Sequence, residues 1–195
     1  AESDAMVFAR LHEPMLAIVA GRQLVTREGL ELLALATSQE LASGRSLTDS
    51  VRETLDVGGI PVLPWGFGKW WFRRGNTVRR FLQTEAAELG VFLGDNGCRP
   101  QSLGTPRLLS CGRQQGLRVI AGSDLLPLAD HEPRVASYGS VLPGTIDWQR
   151  PTAWVRDQLA ALRKSPATFG SGRSINRFVQ DQIRLRIARN IDTSG

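Results

Sequence analysis

The sequence predicts an α/β fold with a largely parallel sheet, and three observations predict it. Short apolar runs suited to buried strands recur at 15–20, 30–36, 60–64, 91–96 and 117–124. Between residues 46 and 124 these runs alternate with amphipathic stretches that carry helix punctuation, the pattern of βαβ units. A chain of 195 residues with 42% hydrophobic and 22% charged residues has the length and composition of one globular domain with a sizeable core.

The opening AESDAMVFAR reads as part of a helix and lacks the basic-then-apolar order of a signal peptide. The chain does not begin with Met, which raises the expectation of a domain incomplete at its N-terminus. MLAIVA, ending at Gly21, and LELLALA, following the turn signal REG, read as buried strands by their length and flanking turns. In SLTDSVRETLDVGG, Ser46 is placed to cap a helix, with Asp49 at the third helical position, Leu47, Val51 and Leu55 on one face, and Gly58 at the stop. That helix leads to the strand IPVLP at 60–64.

After a basic loop, Val78, Phe81, Leu82 and Leu89 define another helical face, with Asn76 as the expected cap, and VFLGDN is the next strand. Thr105 as N-cap, Pro106 at the first helical position and Gly116 beyond the end frame a short helix before the strand in LRVIAGSD. Residues 125–152 are rich in proline and glycine and read as a long connection with one weak strand, the kind of segment that often serves as a lid. Two helices close the chain at 152–164 and 174–190. Val155, Leu159 and Leu162 form the stripe of the first, and Ile175, Phe178, Val179, Ile183 and Ile187 that of the second. The whole reads as a single domain, 1–195.

In folds of this class ligands bind where strands end. The loops after residues 21, 64, 94 and 122 are therefore expected on one rim, bringing together Arg22 and Gln23, the loop Trp65 to Arg74, Asp95 with Asn96, and Ser123 with Asp124. In WGFGKWWFRRG, Gly66 and Gly68 permit close backbone approach, Lys69 is a compact charge, and Arg73 and Arg74 can grip a phosphate through paired N–H groups. The spacing is not that of a P-loop, which disfavours a nucleotide triphosphatase. Its rings could stack on a base or sugar, or could close the loop as an aromatic cluster. Lys69, Arg73, Arg74, Trp65 and Asn96 are accordingly the candidate ligand-binding residues. The acids Asp124 and Asp95 are candidate metal ligands, since carboxylates beside cations can hold a phosphorylated ligand directly or through a hard cation.

Other features weigh less. His12 and His131 are isolated, no Ser/His/Asp pattern is present, and Ser174 in GSGRS reads as a helix cap. Cys98 and Cys111 have neither disulfide-framework nor zinc spacing, which fits a reducing, cytoplasmic setting, and no apolar run approaches the ~18 residues of a membrane span. The net charge is +5, and only Lys69 and Lys164 among the basic residues are lysines. The exposed arginines expected on the last helix read as a solvated face first and as a nucleic-acid surface second.

The order of AGRQLVTREGLELLALA, IPVLPWG and VIAGSD resembles the polymerase and histidinol phosphatase (PHP) family of metal-dependent phosphoesterases, from about residue 15 to residue 139. The resemblance implies a distorted TIM-like barrel, here incomplete, and a divalent metal: zinc, manganese or magnesium. Gln23 stands where that family has a glutamate, Glu31 near its next histidine, which the resemblance makes a further candidate metal ligand, and Trp65 where the histidine of Ala-His-Pro falls. Asp124 matches the aspartate of the final turn, but Leu126 replaces its histidine, and the opening His-x-His strand is absent. Trp65 and Leu126 cannot coordinate such ions, so the resemblance carries architecture further than activity. Three functions are therefore expected in order. The first is a divergent phosphoesterase homologue that binds a phosphorylated ligand, with hydrolysis altered or lost. The second is a non-catalytic phosphate or nucleotide module, and the third a nucleic-acid-binding protein. An incomplete barrel would also expose strand edges that could pair in a homodimer.

Overall fold

A computed structural model describes residues 2–8, 16–97, 99–100, 102, 104–126 and 128–192, without the side chains of 129–130 and 186–192. A two-stranded antiparallel ribbon, β1 (Ala5–Phe8) and β2 (Leu16–Val19), precedes a seven-stranded sheet. The sheet is laid out in chain order: β3 (Gly21–Val25), β4 (Glu31–Leu35), β5 (Ile60–Pro64), β6 (Phe92–Asn96), β7 (Val119–Gly122), β8 (Tyr138–Val141) and β9 (Ala167–Gly170). Helices α1 (Leu47–Asp56), α2 (Phe72–Thr84) and α3 (Arg107–Gln114) connect β4 through β7, and α4 (Pro151–Ala161) and α5 (Ile175–Asp192) follow β8 and β9.

The barrel expectation is corrected: the sheet is open and mixed. Only β5–β6 and β6–β7 pair in parallel, each across a helical connection, while the other neighbouring pairs are antiparallel. The cause is local. β3 returns as β4 through a tight turn in which the Thr26 amide donates to the Leu30 carbonyl at 2.8 Å and Gly29 adopts φ 72°, and a turn that short can only produce an antiparallel partner. At the other edge β9 folds back on β8, where an added Cβ at Gly170 would lie 1.8 Å from the Ser137 carbonyl oxygen. The sheet order ends at β3 and β9, and these do not pair to close a barrel.

Side-chain alternation along the strands produces two apolar layers. Leu32, Leu63, Leu93 and Val119 face α1–α3 and pack with Val51, Val78, Phe81, Leu82 and Leu109. Leu63, Leu93 and Leu109 are fully buried, and truncating such a leucine to alanine costs ~2–5 kcal/mol. On the other face Leu33, Leu35, Ile60, Val62, Phe92 and Ile120 meet Val155, Leu159 and Leu162 of α4 and its C-terminal flank.

Several boundaries differ from the expectations. Ser46 caps α1 as anticipated, its Oγ accepting from the Asp49 amide at 3.1 Å. Asn76 lies inside α2, which starts after Trp71 without a side-chain cap, and Pro106 rather than Thr105 occupies the cap position of α3. Residues 5–8 are a strand, not helix. On α5, Phe178 is buried but Ile175, Val179 and Ile183 of the expected stripe are exposed, and Ile187 lies among the undescribed side chains. No helix among the described residues is long and apolar enough to cross a membrane.

Candidate ligand-binding site

Because β5, β6 and β7 run parallel, Pro64, Asn96 and Gly122 end at one rim. The antiparallel β4 brings its first residue, Glu31, to the same rim, since Leu33 pairs with Val62. Gly21 pairs with Leu35, so the start of β3 lies at the opposite end, and Arg22 hydrogen-bonds the Ser38 and Gln39 carbonyls there. Gln23, which pairs with Leu33, stays within reach of the rim.

The loop after β5 carries the only lysine at this end. Trp65 extends the sheet by donating its amide to the Gly94 carbonyl at 2.8 Å, and the Lys69 amide then donates back to the Gly66 carbonyl at 3.0 Å. This turn folds the lysine stem over Gly66, where an added Cβ would meet Lys69 Cδ at 2.6 Å. Lys69 Nζ reaches the Glu31 carboxylate in an ion pair. Arg74 braces the loop, donating to the Gly68 carbonyl at 3.2 Å and the Gly29 carbonyl at 3.3 Å. Trp70 is buried in the core, whereas Phe67 packs edge-on against Trp71 at 4.9 Å and against Phe178 of α5 at 5.0 Å.

Asn96 ties the strand ends together. Its Nδ2 donates to the Trp65 carbonyl and to Asp124 Oδ2, both at 2.8 Å. Two acceptors on one side fix the orientation of the amide. Its Oδ1 is buried and has no hydrogen-bond partner among the described residues. Asp124 follows β7 with φ 44°, a left-handed conformation that a short polar side chain tolerates. Burial pushes its carboxyl above the ordinary range; the nearby Lys69 and the Asn96 hydrogen bond pull the other way, and Glu31 adds to the rise.

These groups line two connected spaces. A cleft of about 510 Å³ is bounded by Glu31, Trp65, Lys69, Arg74, Asn96 and Asp124, with Phe67, Trp71 and α5 residues Phe178, Gln182 and Leu185 forming its outer wall. A second cavity of about 230 Å³ shares Glu31, Asn96 and Asp124 and runs along the sheet face over Leu33, Val62 and Ile120.

The candidates thus divide. Lys69, Arg74, Trp65 and Asn96 converge on the cleft with Glu31 and Asp124, whereas Arg73 is exposed on α2 and does not line it. Asp95 points to the other face, its two oxygens held by Arg99 at 2.8 and 2.9 Å, with the Tyr138 hydroxyl donating at 3.3 Å. Strand alternation alone separates it from Asn96. His131 is also structural in its contacts: it is 1% exposed, accepts from the Leu126 amide at Nδ1, and meets Asp181 and Arg173 through Nε2 at 3.3 and 2.9 Å. His12 and Cys98 lie outside the described residues, and Cys111 is a free thiol. The α5 wall escaped the sequence reading, although Phe178 stood in the apolar stripe that could have signalled it.

Among the described residues the three candidate metal ligands do not converge as a set. Glu31 is bound to Lys69, whose ammonium also lies close enough to Asp124 to perturb it, and both Asp95 oxygens are committed to Arg99. Among the described residues no three His, Cys, Asp or Glu side chains gather as an ion cage requires. The cations that line this cleft are Lys69 and Arg74. Comparisons of the chain with known protein families, curated proteins and solved structures returned no match.

Proposed function

We propose that the protein binds a small phosphorylated molecule at the strand-end rim, with Lys69 as the principal phosphate contact and without metal-dependent hydrolysis. The observation that carries this reading is the placement of Lys69. A tight turn folds its ammonium into a cleft of about 510 Å³, yet its partner there is only a half-open ion pair, with side chains 41% and 29% exposed. Pairs of this exposure contribute ~0–1 kcal/mol, so a phosphate can displace Glu31 at little cost. Arg74 adds a second cation, with two of its donors spent on the loop carbonyls and the rest available to an anion. Phe67 and Trp71 offer ring faces to a base or sugar. The free Cys111 thiol supports a reducing, cytoplasmic setting.

The test is calorimetry and thermal denaturation with inorganic phosphate, AMP and ATP. Phosphate-bearing ligands are expected to raise the melting temperature, less so at high salt, and Lys69→Ala is expected to abolish the shift while leaving the unliganded melting temperature within a few degrees. No heat and no shift across the three ligands would refute the reading.

A further inference from the structure

We propose that the phosphorylated ligand carries an apolar group, a single ring or a short alkyl chain, which lies in the trough along the open sheet face beneath the phosphate. This rests on the reading of Lys69 as the phosphate contact and extends it to the ligand's other half. The trough has about 230 Å³ and a floor of Leu33, Val62 and Ile120. An apolar cavity of about 150 Å³ already accepts a benzene-sized ring. α4 packs against part of this face, and toward the rim the trough opens into the cleft, sharing Glu31, Asn96 and Asp124 with it. A molecule anchored at Lys69 therefore has one unfilled apolar space next to its anchor.

The glycine at the end of β7 keeps that space empty. Register places Gly122 beside Asn96, and its backbone is in an ordinary strand conformation, so no positive φ calls for glycine. A Cβ added there meets no heavy atom within 4 Å: it projects into open space at the trough mouth. Most side chains would be tolerated by the fold at this position and would obstruct the trough.

The experiment measures affinities of the full chain for inorganic phosphate, glycerol phosphate, and a series of alkyl phosphates with benzyl phosphate. Affinity is expected to rise roughly fourfold per added methylene until the trough is full, with benzyl phosphate at least about tenfold tighter than glycerol phosphate. Gly122→Val is expected to erase that gain and leave inorganic phosphate binding unchanged. Equal affinity for benzyl and glycerol phosphate in the wild type overturns the proposal without any variant, as does a preference that survives in a folded Gly122→Val protein. Failure of every phosphate, inorganic phosphate included, refutes the Lys69 reading itself and is thereby distinct from a flat alkyl series.

Discussion

Asp181, which is buried, and Asp124, which is exposed at the rim yet partly desolvated by the protein around its carboxyl, show how two carboxylates in one domain acquire opposite proton affinities. Asp181 is enclosed by Arg173, at 2.7 and 3.0 Å, and His131, and although burial opposes it these partners hold its carboxyl below the ordinary value. At Asp124 desolvation by the surrounding protein outweighs the pull of Lys69 and of the Asn96 hydrogen bond, and Glu31 adds to the rise, so its carboxyl lies above the ordinary value. The sign of the linkage follows. Between ~3.9, the unfolded aspartate value, and the raised folded value, the native chain holds a proton on Asp124 that the unfolded chain has released. Stability from this group is present below that window and is lost as pH rises through it. Asp181 acts in the reverse sense, its contribution being lost as pH falls below ~3.9. Asp124→Asn keeps the shape and can still accept from Asn96. It is expected to be more stable than wild type at neutral pH and to show a smaller decline of stability on raising the pH from 4, measured by urea denaturation. Identical pH slopes in the two proteins would contradict this account.

At the scale of elements, Phe178 and Asp181 are what tie the described part of α5 to the site. Its described buried side chains are Phe178 and Asp181; Ile175, Val179 and Ile183 are turned outward. Phe178 meets Phe67 of the basic loop, and Asp181 joins Arg173, before the helix, to His131, in the segment after Asp124. Among the described side chains, an aromatic contact and a buried charge network thus join the helix that walls the cleft to the rest of the fold. Removing one partner from such a network leaves the others buried and uncompensated, at ~3–5 kcal/mol, far above the cost of an exposed pair. Asp181→Asn is therefore expected to lower unfolding free energy by about that amount in denaturant titrations. A loss of under about 1 kcal/mol would show that the network is solvated and does not dock the helix.

Across the whole molecule, what could be read from the sequence tracks burial. α1, β5, β6 and β7 were legible because their capping residues and apolar runs reflect packing on the central core. β3 and β9 were not, because they lie at sheet edges with mostly exposed residues, and β9 fits only because Gly139 leaves room for the Phe169 ring. The direction of the edge strands was equally hidden: β3 runs into β4 through a tight turn, whereas β9 returns to β8 only after α4. The site was half legible: Lys69, Asn96 and Asp124 were named from strand ends and Glu31 only through the family resemblance, whereas the trough arises only where residues distant in sequence share one sheet face. The same gradient of burial sets a hierarchy of local stability. Amides of Val62–Leu63, Leu93 and Val119 sit in strands paired on both sides and packed against α1–α3. The β1–β2 ribbon pairs only with itself within the sheets, and Met6, Phe8, Leu16 and Ile18 are exposed. Native-state hydrogen exchange should therefore report opening of the central amides only at the global unfolding free energy. The ribbon should exchange at least about 100-fold faster through local opening, since ~2.7 kcal/mol of lower opening free energy suffices for that factor. Ribbon protection equal to that of β5–β7 would mean that its apolar face is covered in solution and that it belongs to the same cooperative unit as the core.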